Sequence, residues 1–493
     1  MTLPEPSQVL PFLPEALSLD TLRQQGIVPL RREGELLIVG AVSLEAFPQA
    51  QILGASLGLP VEVEIHRREA IDGLLRALYD LRSGLAEEDV DAVEGVDDLA
   101  DLAREDVLSD SVDVPIIRLV NGLIAEAIRE RVTDIHIEPY EESVLVRFRV
   151  DGVLRDRLRL PKGHQAPLTS RLKVMARMDI AERFVSQDGR IGITVGGHAI
   201  DIRVGAIPTQ HGERLALRIL DKGQGLLTLE HLGMAERERT VLEEVIARPH
   251  GIILLTGPTG SGKTTTLYAI LQALARPQVN VLTVEDPIEY DLPGVAQIQV
   301  NEKVGLTFAG ALREILRQDP DIIMIGEMRD YDTAHIGVQA ALTGHLVLST
   351  LHTNDSTSAV TRLIDMGVEP FLLAGSLNGV VAQRLVRRLC PRCRVEEAAT
   401  PLLRRYGLES HWRAVGCEHC GGTGYRGRVG LYEQFVVDDG AREAISQALP
   451  ASRLRSAAVE RGLVSLWRLG LEKVAAGVTS AEEVLRVTGE DPS

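Results

Sequence analysis

Gly251-Ile-Ile-Leu-Leu-Thr-Gly257-Pro-Thr-Gly-Ser-Gly-Lys263-Thr264 decides the fold of this 493-residue chain. Its first six residues form a short apolar run of strand character, and Thr265-Thr-Leu-Tyr-Ala-Ile-Leu-Gln-Ala-Leu274 behind it is helical by pattern. Between the two, Gly257, Pro258, Thr259, Gly260, Ser261, Gly262, Lys263 and Thr264 have the composition and spacing of a phosphate-binding loop, and Thr265 follows at once. Glycines let backbone N–H groups turn inward around phosphate oxygens, at a helix N-terminus whose dipole favours anions. Lys263 is placed to reach the β- and γ-phosphates, and the Thr264 hydroxyl to ligate Mg2+. A glycine-rich turn with a surface lysine is the plain alternative, and the flanking strand and helix argue against it.

Working outward, short apolar runs at Gly251–Thr256, Val279–Thr283, Ile322–Ile325 and Leu346–Thr350 alternate with longer helical stretches. That alternation predicts an α/β fold, a parallel sheet covered by helices on both faces. In such sheets ligands bind beyond the C-terminal ends of the strands. Ile322-Ile-Met-Ile-Gly-Glu327 delivers a carboxylate to that edge, where it can hold Mg2+ or its waters; a solvent-exposed glutamate is the bland alternative. Thr283-Val-Glu285-Asp-Pro-Ile-Glu289 brings three more acids within five residues. They repel one another unless a cation or solvent compensates. Thr343-Gly-His345-Leu-Val-Leu-Ser-Thr-Leu-His352 brackets another core strand with two histidines, either of which is structural or part of the site.

The four cysteines of the chain fall as Cys390-Pro-Arg-Cys393 and Cys417-Glu-His-Cys420. Two C-x2-C pairs match a four-thiolate Zn2+ site, and a closed four-ligand shell makes the role structural. Disulfides are disfavoured in a reducing cytoplasm.

Composition bounds the rest. An apolar content of 45% with 25% charged residues is that of a globular protein, and aromatics at 3% leave the cores to Leu, Val, Ile and Ala. No apolar run is long enough to span a bilayer, and the N-terminus has no secretory-signal pattern, so a cytoplasmic location is expected. A net charge of −17 argues against nucleic acid as a partner. Twelve acidic residues against Arg104 alone, between Glu87 and Asp113, place −11 of it in one segment, which predicts a flexible linker or a dock for a basic partner.

Residues 1–85 read as a small domain with strands at Gly34–Gly40 and Val61–Ile65 and a helix over Glu69–Leu81. A second domain begins near Val114, with a helix over Ile116–Glu130, a strand over Ser143–Val150 and a strand pair, Arg190–Thr194 and His198–Val204, joined at Gly196-Gly197. The tail from about residue 438 reads as short helices.

Together these motifs resemble the traffic ATPases of secretion, specifically the GspE-type ATPases of the bacterial type II secretion system. The likeness rests on Thr133-Asp-Ile-His-Ile-Glu-Pro139, Gln187-Asp-Gly-Arg190, the glycine loop, Val284-Glu-Asp-Pro-Ile-Glu-Tyr290, Leu316-Arg-Gln-Asp-Pro-Asp321, Gly326-Glu-Met-Arg-Asp330 and Leu342–Asn354. It implies a RecA-like P-loop ATPase core (228–389) preceded by a PAS-like α+β domain (114–227). It further implies a small α/β N-terminal partner-docking domain (1–85), an acidic linker (86–113), a zinc subdomain (390–430) and a helical C-terminal region (431–493). By the same resemblance, Glu285 would activate the attacking water, Glu327 would be the Walker B acid supporting Mg2+, and His352 would contact the γ-phosphate of ATP. Arg203 and Arg218 would reach the nucleotide within a homohexamer. The implied partners are the cytoplasmic domain of an inner-membrane GspL-like protein and a GspF-like platform protein, which would hold the ATPase peripherally at the inner membrane. A type IV pilus extension ATPase shares most of these motifs; Gln210-His-Gly-Glu-Arg214 resembles the secretion version. Retraction-type ATPases, by resemblance, lack the cysteine pairs and a long N-terminal domain.

Overall fold

The computed structural model describes residues 114–195, 198–221 and 227–490, and, within the first eighty, 25–34, 36–43, 46–57, 59–68 and isolated positions. The acidic segment 86–113 and Gly196-Gly197 lie outside the described residues. The chain separates into two compact units, one made chiefly of Met1–Asp101 and the other of nearly all the remainder.

In the first unit β1 (Ile27–Glu33) pairs antiparallel with β2 (Leu36–Ala41), and β2 pairs parallel with β3 (Val61–Ile65). The helix Phe47–Leu57 makes the crossover between β2 and β3. Leu37, Val39, Leu53, Ile71, Leu74 and Leu78 bury together in one core; much of the expected helix Glu69–Leu81, its last three residues included, lies outside the described residues. β1 was not legible: its proline and its charged end, Arg31-Arg32-Glu33, mask a strand whose first four residues are buried.

The second unit opens with the helix Val114–Arg129 and a six-stranded sheet. Its strands are β4 (Asp134–Pro139), β5 (Ser143–Val150), β6 (Val153–Pro161), β7 (Gln187–Val195), β8 (His198–Thr209) and β9 (Gly212–Asp221), in the spatial order β6-β5-β4-β9-β8-β7. Alternation sorts the faces. Ile135 and Ile137 point into the core, whereas Asp134, His136 and Glu138 share the opposite face, where arginines from β5 and β9 meet the two carboxylates.

The nucleotide sheet follows. β10 (Gly251–Thr256), β11 (Val281–Glu285), β12 (Ala296–Gln299), β13 (Ile322–Ile325), β14 (Leu346–Leu351) and β15 (Leu377–Leu389) are all parallel, in the order β12-β11-β13-β14-β10-β15. Every residue of β10 is buried because both faces are covered. Ile252 and Leu254 pack with the helices Phe308–Ile315, Tyr331–Leu342 and Ser358–Asp365; Ile253 and Leu255 pack with Glu236–Ile246 and Lys263–Leu274. The Cys-bearing segment, with its small hairpin of β16 (Val395–Ala398) and β17 (Ser410–Arg413), leaves this sheet from β15 and returns as β18 (Tyr425–Val436). β18 is antiparallel to β15 at the sheet edge. β10, β11, β13 and β14 were expected from their apolar runs; β12 and β15 were not, and neither was this edge ribbon, whose outer half alternates polar and apolar residues. Four short helices close the chain, Asp439–Ser446, Ala451–Glu460, Leu466–Ala475 and Ala481–Thr488. No helix among the described residues is long and apolar enough to cross a membrane.

Candidate active site and candidate metal centre

The glycine loop stands at the C-terminal end of β10 and passes into the helix Lys263–Leu274. Gly257, Gly260 and Gly262 adopt φ of 150°, 78° and 90°, a region that side chains disfavour. A Cβ on Gly257 would come within 2.5 Å of the Gln383 carbonyl, and one on Gly262 within 2.7 Å of the Gln383 amide, so the close approach itself requires glycine. Thr264 and Thr265 face solvent on the first helical turn, whereas Lys263 is buried. The Lys263 ammonium donates to the Gly257 and Pro258 carbonyls at 2.6 and 3.1 Å. Burial brings its pKa down to about 8, against the pull of Glu327 and with a push from Arg384. The Ser261 hydroxyl is buried without a partner. An orphaned hydroxyl, a buried cation bonded only to carbonyls and a cradle that a Cβ would fill together fit a polyphosphate.

Glu327 faces this loop from the end of β13. Gly326 makes that possible: its N–H donates to the Val284 carbonyl at 2.8 Å, and a Cβ there would lie 3.3 Å from the same oxygen. The Thr350 hydroxyl donates to the Gly326 carbonyl at 2.8 Å and pins the turn to β14. The Glu327 carboxylate pairs with Arg329 and lies 3.5 Å from His352 Nε2. Arg329, which sequence reading left without a role, has its pKa raised by that hydrogen bond to Glu327. His352 is half-exposed and stands beside the loop strand, because Thr353 and Thr256 exchange hydrogen bonds. His345 lies at the other end of β14, on the Ala340 carbonyl at 2.8 Å, and closes the end of a helix. Of the two histidines, the structure brings only His352 to the site.

Glu285 and Glu289 are compensated by protein groups. Glu285 is buried and accepts hydrogen bonds from Tyr268, from Thr283 at 2.7 Å and from Gln297 at 2.9 Å. Glu289 is met bidentately by Arg203 at 3.0 and 2.7 Å. Arg218 stands directly opposite Arg203 across β8 and β9, and its Nε donates to Asp134 at 3.0 Å. Both arginines thus occupy neighbouring positions on one sheet face, each resting on a carboxylate of its own chain.

The four cysteine sulfurs lie within 4.8 Å of one another. Cys390 and Cys417 are 3.9 Å apart, as are Cys393 and Cys420, and Cys417 and Cys420 are 3.8 Å apart. Tetrahedral zinc with bonds of about 2.3 Å sets its sulfurs about 3.8 Å apart, whereas a disulfide needs about 2.05 Å. Backbone N–H groups of Gly416, Cys417 and Gly424 point at Cys393 and Cys420 from 3.4, 3.2 and 3.1 Å, the arrangement that stabilises thiolates. The cluster therefore fits a four-coordinate metal.

A glycine loop at the C-terminal edge of a parallel sheet, with a strand-end glutamate facing its lysine and a histidine beside that glutamate, defines a P-loop ATPase. The chain belongs to the type II/IV secretion system protein family, whose model matches residues 109–486. A second model, the MshEN domain, matches residues 2–85. Type II secretion system protein HxcR of Pseudomonas aeruginosa is 54% identical over 87% of this chain and 90% of its own length. Type II secretion system protein E of Aeromonas hydrophila is 49% identical over 98% of this chain and 97% of its own. Type II secretion system ATPase E of Vibrio cholerae is 51% identical over 78% of each. Among solved structures, the pilus retraction motor PilT with bound ADP aligns at a TM-score of 0.51 with 26% identity, covering 75% of this chain and 97% of that one. The ATPase DotB of Legionella pneumophila shares the fold at a TM-score of 0.55 and 21% identity, covering 74% of this chain and 94% of that one.

Proposed function

We propose that this chain is the ATPase motor of a type II secretion system, hydrolysing ATP to ADP and phosphate to drive pseudopilus assembly and the export of folded proteins across the outer membrane. The meeting of Lys263, Glu327, Arg329 and His352 beside the glycine loop supports this most directly, in a chain whose relatives named type II secretion system protein E match it over nearly its whole length.

Each residue then has a task. The loop N–H groups and Lys263 hold the β- and γ-phosphates. Thr264 and Glu327 are the groups that would hold Mg2+, which when bound neutralises phosphate charge. His352 contacts the γ-phosphate. Glu285 polarises the attacking water, a role that requires one oxygen to leave Tyr268. Arg203 and Arg218 stabilise charge on the transferred phosphoryl group of a neighbouring subunit in a homohexamer, an effect worth roughly 10^3–10^5 in rate. Zn2+ on Cys390, Cys393, Cys417 and Cys420 braces the loop between β15 and β18.

Residues 1–85 would dock a GspL-like membrane protein and the ATPase ring would meet a GspF-like platform, so that the chain works at the cytoplasmic face of the inner membrane. Type IV pilus extension is the second reading, supported by the shared motifs and by the likeness to a pilus motor. Glu327→Gln tests the catalytic assignment: turnover should vanish while ATP binding persists, and unchanged hydrolysis would sink it. Affinity capture of the full chain from native membranes, with secretion or pilus partners identified in the eluate, separates the two readings.

A further inference from the structure

β15 places Gln383 and Arg384 inside a buried apolar stretch, and it runs parallel to β10 with Thr256 opposite Ala382. That register sets the two polar residues level with the first turn of the glycine loop. Gln383 buttresses the loop, accepting from Thr266 at 2.9 Å. Arg384 sits against Gly257: a Cβ built there would lie 3.0 Å from the guanidinium. The same guanidinium donates to the Gln383 carbonyl at 3.0 Å and to the Asn354 carbonyl at 2.7 Å.

Arg384 is 8% exposed, and among the described residues no carboxylate stands within ion-pair distance of it. The acids nearest in influence, Glu433 and Asp355, are engaged elsewhere, Glu433 by Ser356 and Arg455 and Asp355 by Thr357 and Ser358. Burial lowers its pKa, as it lowers that of Lys263. Two buried cations thus flank one glycine, repel each other and have carbonyls as their hydrogen-bond partners. Buried charge without a counter-charge is costly, and an anion held by the loop would relieve both groups at once.

We propose that Arg384 is a positioning residue for the nucleotide, a second intrachain cation that attracts the polyphosphate across Gly257 and, through the Asn354 carbonyl, ties the loaded loop to the His352 segment. This rests on the ATPase reading. The plain alternative is a bolt that joins β15 to the loop after β14 and has no electrostatic part.

The test measures thermal midpoint and ATPγS affinity for the full-length parent, Arg384→Gln, Arg384→Lys and Lys263→Ala. Arg384→Gln removes one of two repelling cations. Its nucleotide-free midpoint should hold or rise, while ATPγS binding weakens about tenfold or more. Arg384→Lys keeps the charge and should bind within about threefold of the parent. A bolt predicts the reverse: a lower nucleotide-free midpoint, unchanged affinity and a lysine variant as damaged as the glutamine one. That pattern overturns the proposal. If Arg384→Gln does not fold, the lysine variant decides alone, and a tenfold loss of affinity in it would overturn the proposal. If the parent itself binds no ATPγS, the ATPase reading falls; if the parent binds, Lys263→Ala does not, and Arg384→Gln matches the parent, only this proposal falls.

Discussion

Arg203 and Glu289 form a bidentate ion pair that joins β8 of the second sheet to the loop following β11 of the nucleotide sheet, at 3.0 and 2.7 Å. Both side chains are mostly buried, at 21% and 24% exposure, so the pair is more than a surface contact. For Arg203 to act on a neighbour's nucleotide, it must exchange this carboxylate for phosphate.

On that proposed role, the pair would oppose catalysis while it holds. Glu289→Gln should leave Arg203 easier to release and raise basal turnover by about tenfold to a hundredfold, since hydrogen bonds to charged groups contribute roughly 1.5–3 kcal/mol. Arg203→Gln should lower turnover by about 10^3. Phosphate release from the full-length protein reads both, and equal losses in the two variants would show that the pair is needed intact.

Lys263 predicts a pH dependence. Burial holds its pKa near 8 rather than 10.5 in the folded, nucleotide-free protein. Phosphate recognition needs the charged form, so ATP affinity should fall as pH rises above about 8, as followed by binding titration. Stability runs the other way. Between about 8 and 10.5 the unfolded chain retains a proton that the folded chain has lost, so this group's contribution to stability rises with pH. Lys263→Met should flatten both trends.

Cys417→Ser should lose the zinc proposed for this quartet, and the region from β15 to β18 should unfold early, because a structural zinc contributes on the order of 10 kcal/mol. Elemental analysis gives the zinc content and limited proteolysis the local unfolding. Native protein without zinc would refute the assignment.

In the nucleotide core, Ile253 packs fully buried against Leu267 and Ile270 on the loop helix. Ile253→Ala should cost about 2–5 kcal/mol and lower the denaturant midpoint without altering the slope. A loss under 1 kcal/mol would mean that the site collapses around the smaller side chain.

The glycine loop, the four apolar strands β10, β11, β13 and β14 and the cysteine quartet were determined by sequence alone, because each depends on local order: glycines at positive φ, apolar runs of strand length, thiols with two residues between them. Glu327 and His352 were legible for the same reason, as polar residues directly after buried strands. What the site residues touch was decided only by tertiary structure. Glu285 and Glu327 read alike as strand-end acids, yet Tyr268, Thr283 and Gln297 enclose the first, and Arg329 and His352 meet the second. His345 and His352 read as a pair, yet a six-residue strand separates them to opposite edges of the sheet. Arg384 comes to the loop from a strand more than a hundred residues away, through the parallel register of β10 and β15. The only local sign of it was a Gln-Arg pair in an apolar run. Hydrogen-bond partners and burial depend on which strands lie side by side, and that order is set by the packing of the whole sheet.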